Sequence, residues 1–220
     1  MANYLLLGAN RGIGLQLARQ LSVRGDRVIA VCRSESEALS ALPVEIISGI
    51  DLSDAACLET LDHRLGDEAV DVMLFVAGIL EGDNLENVSP DSMRRHFEVN
   101  ALAPLAAVKQ LRHRLREGGK VFILSSRVGS IADNSSGGNY AYRVSKTAVN
   151  MIGVNLAHDL KPQGIAVFLL HPGYVRTDMT GHTGHMYAAD SAAGLIQQMD
   201  RLELSQTGSF WHASGEPLEW

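Results

Sequence analysis

Tyr142 and Lys146 lie four residues apart in the segment Tyr-Arg-Val-Ser-Lys. On a helix this spacing places the two side chains on one face, one turn apart. An ammonium about 4–5 Å from a phenol stabilises the phenolate by roughly 4 kcal/mol, enough to lower the phenol pKa from about 10 to about 7. The pair could therefore act as an acid and base near neutral pH. The alternative is an amphipathic helix with a solvated lysine.

The N-terminal segment has the pattern of a nucleotide-binding unit. A short apolar run from Asn3 to Leu7 predicts a buried strand, and the apolar spacing from Ile13 to Leu21 predicts a helix that ends at Arg24-Gly25. A second strand is predicted from Arg27 to Cys32. Between the first strand and the helix lies the turn Gly8-Ala9-Asn10-Arg11-Gly12-Ile13-Gly14. Glycines in this setting let the backbone approach a pyrophosphate, so we interpret the turn as a dinucleotide site; the alternative is an ordinary tight turn.

The residues after the second strand indicate which dinucleotide binds. NAD-binding proteins usually have a carboxylate at the end of this strand, whereas this chain has Cys32-Arg33. Arg11 adds a second guanidinium within the glycine-rich turn. Two charge-assisted hydrogen bonds of about 1.5–3 kcal/mol each would favour NADP over NAD by roughly 10²–10⁴-fold. We therefore predict NADP(H); for either arginine the alternative is a solvated loop charge.

Further motifs follow in chain order. They are Asp51-Leu52 after the apolar run Val44–Ile47, Ala77-Gly78, Asn100 in Glu-Val-Asn-Ala, Ser125-Ser126 before Tyr142, and His171-Pro172-Gly173-Tyr174-Val175-Arg176-Thr177. Together these motifs resemble those of the short-chain dehydrogenases/reductases over nearly the whole chain. A short chain, a long loop before Tyr142 and the C-terminal sequence Gly-Glu-Pro-Leu-Glu-Trp further resemble the C-factor-like and Sniffer-like carbonyl reductases of that family.

The resemblance implies an NADPH-dependent oxidoreductase with assigned residue roles. Tyr142 would exchange a proton with the carbonyl or alcohol oxygen, and Ser126, which matches the second serine of the family's pair, would stabilise that oxygen. Lys146 is implied to lower the pKa of Tyr142 and to hold the nicotinamide ribose. Asn100 is implied to anchor a water, or alternatively to bond backbone at a helix distortion. The implied cofactor-binding residues are Gly8, Asn10, Arg11, Gly12, Ile13, Gly14, Arg33, Asp51, Leu52, Ala77, Gly78, Tyr142, Lys146, Pro172, Gly173, Val175 and Thr177.

Three residues depart from the family pattern. Leu7 stands where the family usually has Thr, and Phe75 and Val76 stand where it has two Asn residues. The missing Asn side chains are implied to weaken the support beneath the cofactor, while the reacting residues remain.

Length and periodicity predict one α/β domain. The 220 residues, 46% of them hydrophobic, suit a single domain over residues 1–220. Apolar runs alternate with helical patterns, which predicts a Rossmann-type doubly wound parallel sheet of about seven strands with helices on both faces. The later strands are predicted at Val44–Ile47, Val70–Ala77, Lys120–Leu124, Ala166–Leu170 and Gly208–Trp211, and the later helices at Asp54–Leu65, Pro90–Arg116, Ala141–Leu160 and Ala188–Leu204.

Composition argues against several partners. With 19 basic against 25 acidic residues, a nucleic-acid partner is not expected. No stretch approaches about 18 apolar residues, so neither a membrane span nor a signal peptide is expected, and we predict a cytoplasmic protein. His182 and His185 lack a nearby third ligand, so we predict no metal site and interpret Gly181–His185 as part of a substrate lid, lined by His182, His185, Met186 and Tyr187.

The family resemblance also leaves alternatives open. A homodimer or homotetramer is implied, in which the helices after Pro90 and after Ala141 pair with their copies. The predicted substrate is a small carbonyl or alcohol compound. Two other functions remain possible on the sequence: a non-catalytic dinucleotide-binding redox sensor or signalling protein, and an NAD-linked alcohol dehydrogenase.

Overall fold

The computed structural model describes residues 1–220 and contains nine strands and seven α-helices. The strands are β1 (Asn3–Leu7), β2 (Arg27–Val31), β3 (Glu45–Ile47), β4 (Val70–Phe75), β5 (Leu115–Leu124), β6 (Ala166–His171), β7 (Val175–Arg176), β8 (Met186–Tyr187) and β9 (Ser209–His212). The helices are α1 (Gly12–Val23), α2 (Glu37–Ser40), α3 (Ala55–Arg64), α4 (Pro90–Phe97), α5 (Ala103–Leu111), α6 (Tyr140–Leu160) and α7 (Ala188–Arg201).

Seven of the strands form one parallel sheet in the order β3-β2-β1-β4-β5-β6-β9. From β1 the chain adds β2 and β3 on one side, and then β4, β5, β6 and β9 on the other. The strand order therefore reverses between β1 and β4, and the carboxyl ends of these two strands flank the crevice where ligands of such folds bind. The remaining strands, β7 and β8, form a separate two-stranded ladder. The predicted doubly wound Rossmann-type sheet is therefore confirmed.

Helices cover both faces of the sheet. Successive strand residues point to opposite faces of the sheet. Leu5 packs with α3, α5 and α6 on one face, and Leu6 packs with α1 and α7 on the other. This two-sided burial explains why the strands read as continuous apolar runs rather than as alternating patterns. None of the helices has both the length and the apolar character that crossing a membrane requires.

The long helix predicted from Pro90 to Arg116 is interrupted. A π-helical turn, Glu98–Leu102, separates α4 from α5, and the N–H of Ala103 bonds to the carbonyl of Glu98. Pro104 has no N–H to offer the carbonyl one turn before it, which favours such a widened turn. The helical stretch ends at Arg114, and β5 begins five residues before its predicted start.

The C-terminal segment packs beside the loop that follows β5. The Trp220 ring stacks on Phe210 with centroids 5.5 Å apart, and the Trp220 carbonyl accepts a hydrogen bond from the Ala132 N–H. Glu216 forms an ion pair with Arg127 at 2.9 Å. The end of the chain thus holds the loop that begins at Ser126.

Candidate active site

The glycine-rich turn that connects β1 to α1 is packed too closely to hold larger side chains at Gly8 and Gly14. Gly8 has φ +104°, and a Cβ there would lie 2.6 Å from the Ala77 amide nitrogen. A Cβ on Gly14 would overlap the Gly8 carbonyl oxygen. Side chains at these positions would push the turn away from β4 and α1, so the close packing depends on glycine.

The N-terminus of α1 fits a pyrophosphate. Its first turn has no side-chain cap and no acidic residue. The Asn10 side-chain oxygen beside it is buried and has no hydrogen-bond partner. Open N–H groups with the positive end of a helix dipole attract anions, and the unpartnered Asn10 oxygen can accept from a ligand hydroxyl. The predicted residues of this turn therefore fit a dinucleotide.

Arg33 and Arg11 differ in their surroundings. Arg33 is exposed just after β2. Hydrogen bonds from Ser53, together with a smaller effect of the Arg33 charge, hold the pKa of the neighbouring Asp51 below its usual range. Arg11 instead forms an exposed ion pair with Asp178 at 3.2 Å, so it links the glycine-rich turn to the loop after β7. Leu52 is buried beside Asp51.

Tyr142, Lys146 and Ser126 meet at the carboxyl end of β5. The Lys146 Nζ lies 5.7 Å from the centroid of the Tyr142 ring and donates to the Leu124 carbonyl at 2.8 Å. Ser126 is 7% exposed and lies close enough to Tyr142 to affect its ionisation. The hydroxyl of Ser125 instead donates to the Asn150 side chain at 2.5 Å. This difference supports Ser126 rather than Ser125 as the reactive serine.

The charge state of this group differs from the prediction. Burial raises the pKa of Tyr142 to about 12, and the hydrogen bond with Ser126 only partly opposes it. Burial also lowers the pKa of Lys146 to about 8. The prediction that Lys146 lowers the phenol pKa to about 7 is wrong in this structure, because burial raises that pKa and only the hydrogen bond with Ser126 opposes the rise.

Asn100 lies in the π-helical turn and faces the same site. Its Oδ1 accepts from the Ile79 N–H at 2.8 Å, and its Nδ2 donates to the Ile79 carbonyl and to the Ser145 hydroxyl, each at 2.9 Å. A Cβ on Gly78 would lie 3.1 Å from this Oδ1 and 3.8 Å from the Lys146 Nζ. The side chain of Asn100 thus bonds backbone at a helix distortion, as the alternative interpretation expected. One Oδ1 lone pair remains for a water.

The segment from Pro172 to Thr177 closes the site from the other side. The Pro172 carbonyl accepts from Ser191 at 2.7 Å, and a Cβ on Gly12 would lie 3.3 Å from the Thr177 methyl group. Val175 pairs with Met186 between β7 and β8. Of the predicted cofactor contacts in this segment, Thr177 lies beside Gly12 of the glycine-rich turn, and those at Pro172, Gly173 and Val175 stay predictions.

The predicted lid residues take different positions. Met186 lies beside Gly173, which is consistent with lining a pocket. The Tyr187 side chain is mostly exposed, and the ring of His185 packs edge-on against Tyr174 at 5.5 Å. His182 faces Asp178 at 3.1 Å.

Two histidines near the site had no assigned role in the sequence analysis. His96 is fully buried: its Nε2 accepts from the Glu81 N–H at 3.0 Å, and its ring meets the Tyr142 ring edge-on at 6.5 Å. The four-residue spacing between His96 and Asn100, which places both on one helix face, is the signal that could have indicated it. His171, at the end of β6, has an unpartnered Nδ1, and burial lowers its pKa to about 3.

Comparisons with known proteins agree with this geometry. A model of the short chain dehydrogenase family matches residues 3–188. The chain is 41% identical to the 1-hydroxy-2-glutathionyl-2-methyl-3-butene dehydrogenase of Rhodococcus sp. (strain AD45), with 100% of each chain covered. It is 39% identical to the C-signal of Myxococcus xanthus over 69% of this chain and 93% of that protein.

Solved structures give the same assignment. Carbonyl reductase Sniffer of D. melanogaster superposes with a TM-score of 0.91 at 27% identity, covering 100% of both chains. A carbonyl reductase from Pseudomonas aeruginosa PAO1 in complex with NADP superposes with a TM-score of 0.85 at 31% identity, again over 100% of both chains. The chain therefore belongs to the short-chain dehydrogenase family, within the subgroup that contains the C-signal and the Sniffer-type carbonyl reductases.

Proposed function

We propose that this protein is an NADP(H)-dependent oxidoreductase that interconverts a carbonyl compound and an alcohol. The observation that carries the proposal is the meeting of Tyr142, Lys146 and Ser126 beside Gly78, at the end of the crevice that begins with the glycine-rich turn. The open N-terminus of α1 and the exposed Arg33 support a dinucleotide with a 2′-phosphate. The NADP complex of the P. aeruginosa carbonyl reductase supports the same cofactor.

Each of the three side chains has its own role in carbonyl reduction. The bound dinucleotide supplies the hydride. Tyr142, whose raised pKa keeps it protonated well above neutral pH, donates a proton to the carbonyl oxygen as negative charge develops there. Ser126 donates a hydrogen bond to the same oxygen. One hydride on carbon and one proton on oxygen convert the carbonyl to an alcohol, and Lys146 would hold the ribose hydroxyls of the dinucleotide.

Two relatives each support a different alternative function. The 41% identical Rhodococcus protein is named as a dehydrogenase of a hydroxy compound, which supports alcohol oxidation by the same residues. The name of the M. xanthus relative, C-signal, supports a signalling role. The intact Tyr142, Lys146 and Ser126 favour catalysis over a binding-only role.

Turnover and binding measured together test the proposal. Purified protein is mixed with NADPH and a panel of activated aldehydes, ketones and quinones, and oxidation of the nicotinamide is followed by absorbance. We expect turnover in the wild type and its loss in Tyr142→Phe, with NADPH binding retained in both. Tyr140→Phe, an exposed tyrosine in the same helical turn, is the matched control and should remain active.

Other outcomes would redirect the assignment. Equal inactivity of the wild type and Tyr142→Phe on the whole panel, with both binding NADPH, would favour the signalling role. Tighter binding of NAD(H) than of NADP(H) in separate titrations would contradict the interpretation of Arg33.

A further inference from the structure

The helix that carries Tyr142 begins without a cap of its own. Three successive residues before α6, Gly137, Gly138 and Asn139, have φ of +61°, +64° and +48°. An N-cap residue normally has extended backbone and uses its side chain to accept from the first turn. Asn139 is left-handed and makes no such bond. The first turn of α6 holds Tyr142, so the placement of the phenol depends on what satisfies these amides instead.

Asp83, from a distant loop, takes the place of the missing cap. Its carboxylate accepts from the Tyr140 N–H at 2.5 Å and from the Ala141 N–H at 3.0 Å, although Tyr140 is 57 residues away in sequence. The Asp83 carbonyl also accepts from the Asn139 N–H at 2.8 Å. A carboxylate at this position also complements the positive end of the helix dipole.

The loop that carries Asp83 is itself fixed beside the active site. Asn100 bonds both the N–H and the carbonyl of Ile79, and His96 accepts from the Glu81 N–H. Asn100 also donates to Ser145, whose hydroxyl donates to the Tyr142 carbonyl at 2.7 Å. The segment from Ile79 to Asp83 is therefore held at one end by α4 and the π-helical turn, and at the other end it holds α6.

We propose that Asp83 is a positioning residue for the reaction: it acts as a remote N-cap that fixes the first turn of α6 and so aims the Tyr142 hydroxyl at the substrate oxygen. This inference rests on the proposed function of Tyr142. A displacement of about 1 Å at a reacting group can lower a rate by roughly 10²-fold, so an uncapped first turn affects turnover more than it affects nucleotide binding.

Three variants separate positioning from general stability. Asp83→Ala removes the cap, and Asp83→Asn keeps an acceptor of comparable capping strength without the charge. Asp54→Ala is the matched control, because Asp54 caps α3 by accepting from the Ala56 N–H at 2.8 Å and α3 packs on α5 rather than on α6. Each variant is assayed for urea midpoint, NADPH affinity, and kcat at saturating NADPH.

We expect Asp83→Ala and Asp54→Ala to lower the urea midpoint by similar amounts. Only Asp83→Ala should lower kcat, on the order of 10–100-fold, with NADPH affinity unchanged, and Asp83→Asn should restore most of it. A kcat for Asp83→Ala equal to that of Asp54→Ala would overturn the proposal. So would a kcat for Asp83→Asn as low as that for Asp83→Ala, because capping would then not be the cause.

Hydrogen exchange tests the cap without relying on turnover. In Asp83→Ala the Tyr140 and Ala141 amides should exchange faster while the Ala56 amide does not, and Asp83→Asn should restore protection. Wild-type protein that binds NADPH yet turns over no substrate would refute the proposed function, and the exchange result would still decide whether Asp83 caps α6. Unchanged exchange in Asp83→Ala would refute the cap itself.

Discussion

Titration of Tyr142 tests the charge state of the reacting pair. Burial raises the pKa of Tyr142 to about 12 and lowers the pKa of Lys146 to about 8. Both shifts favour the uncharged form, because desolvation penalises the phenolate and the ammonium alike. The gap between them corresponds to about 5 kcal/mol in favour of a neutral phenol beside a neutral amine over a phenolate–ammonium pair.

Attraction between the charges opposes this preference. The Lys146 Nζ lies 5.7 Å from the centroid of the Tyr142 ring. At an effective dielectric constant of about 20, unit charges at this separation attract by about 3 kcal/mol. The neutral pair remains favoured by roughly 2 kcal/mol, a ratio on the order of 10–100. We therefore expect Lys146 to release its proton first as the pH rises, while Tyr142 stays protonated to about pH 10.

The assay is tyrosinate absorbance in protein without added nucleotide. The chain has 5 tyrosines, and subtracting the curve of Tyr142→Phe from that of the wild type isolates the titration of Tyr142 from that of the others. We expect no tyrosinate difference below about pH 10, and the same result in Lys146→Met, because a neutral lysine cannot lower the phenol pKa. A wild-type midpoint near pH 7 that moves upward by about 2 pKa units in Lys146→Met would refute the reasoning.

Three further predictions concern single side chains. Ser126→Ala should lower kcat by roughly 10²–10³-fold in a turnover assay, because it removes a donor to the reacting oxygen. Ser125→Ala should leave kcat unchanged but lower the free energy of unfolding in urea by about 1–3 kcal/mol, because the buried side-chain oxygen of Asn150 loses its hydrogen-bond donor. Equal losses of kcat in the two variants would contradict the assignment. Arg33→Ala should weaken NADPH binding by about 10–100-fold in a fluorescence titration and leave NADH binding unchanged, and a parallel loss for both nucleotides would contradict a 2′-phosphate contact. The pKa of His171 is about 3 in the folded chain and about 6.5 in the unfolded chain, so between these pH values the unfolded chain binds more protons. The free energy of unfolding should therefore fall by about 1 kcal/mol per pH unit as the pH drops through this range. Measured by urea unfolding at several pH values, this fall should be shallower in His171→Gln, and an equally steep fall in both proteins would refute the prediction.

Local sequence signals were sufficient for the nucleotide-binding half of the fold. The apolar run from Asn3 to Leu7 became β1 with the predicted bounds, and the glycine-rich turn connects it to α1. Both features are encoded locally, since a buried strand needs only a short apolar run and the turn needs glycine where a Cβ would collide. Short elements were missed: α2 has four residues, and β7 and β8 have two each. Elements of this length carry too little periodicity to detect.

Contacts between distant segments could not be predicted in this way. Pro104 is a sequence signal for the π-helical turn, but the bonds from Asn100 to Ile79 depend on how closely that turn approaches the loop after β4. Asp83 is an ordinary loop residue in the sequence, and only the approach of α6 makes it a cap. The pairing of Ser126 with Tyr142 came from family resemblance, because nothing in the intervening loop specifies it.

The wrong pKa prediction for Tyr142 has one physical source. A sequence gives the spacing of Tyr142 and Lys146, from which an attraction can be calculated, but it does not give the depth at which both groups are buried. Lys146 is 5% exposed, and its ammonium loses hydration that the Leu124 carbonyl only partly replaces. An attraction calculated from spacing alone also omits the hydration that the phenolate loses on burial, and this loss is the largest cause of the raised pKa of Tyr142.

A protonated Tyr142 fits one direction of the proposed reaction better than the other. In carbonyl reduction the oxygen gains negative charge, and an alkoxide is a stronger base than a phenolate even when burial has raised the phenol pKa to about 12. Proton transfer from Tyr142 to this oxygen is therefore favourable in free energy as the carbonyl carbon gains its hydride. In alcohol oxidation the phenol must first lose that proton, and at pH 7 only about one molecule in 10⁵ is phenolate with such a pKa. If the proposed function holds, we expect carbonyl reduction to proceed readily at neutral pH and alcohol oxidation to accelerate as the pH rises.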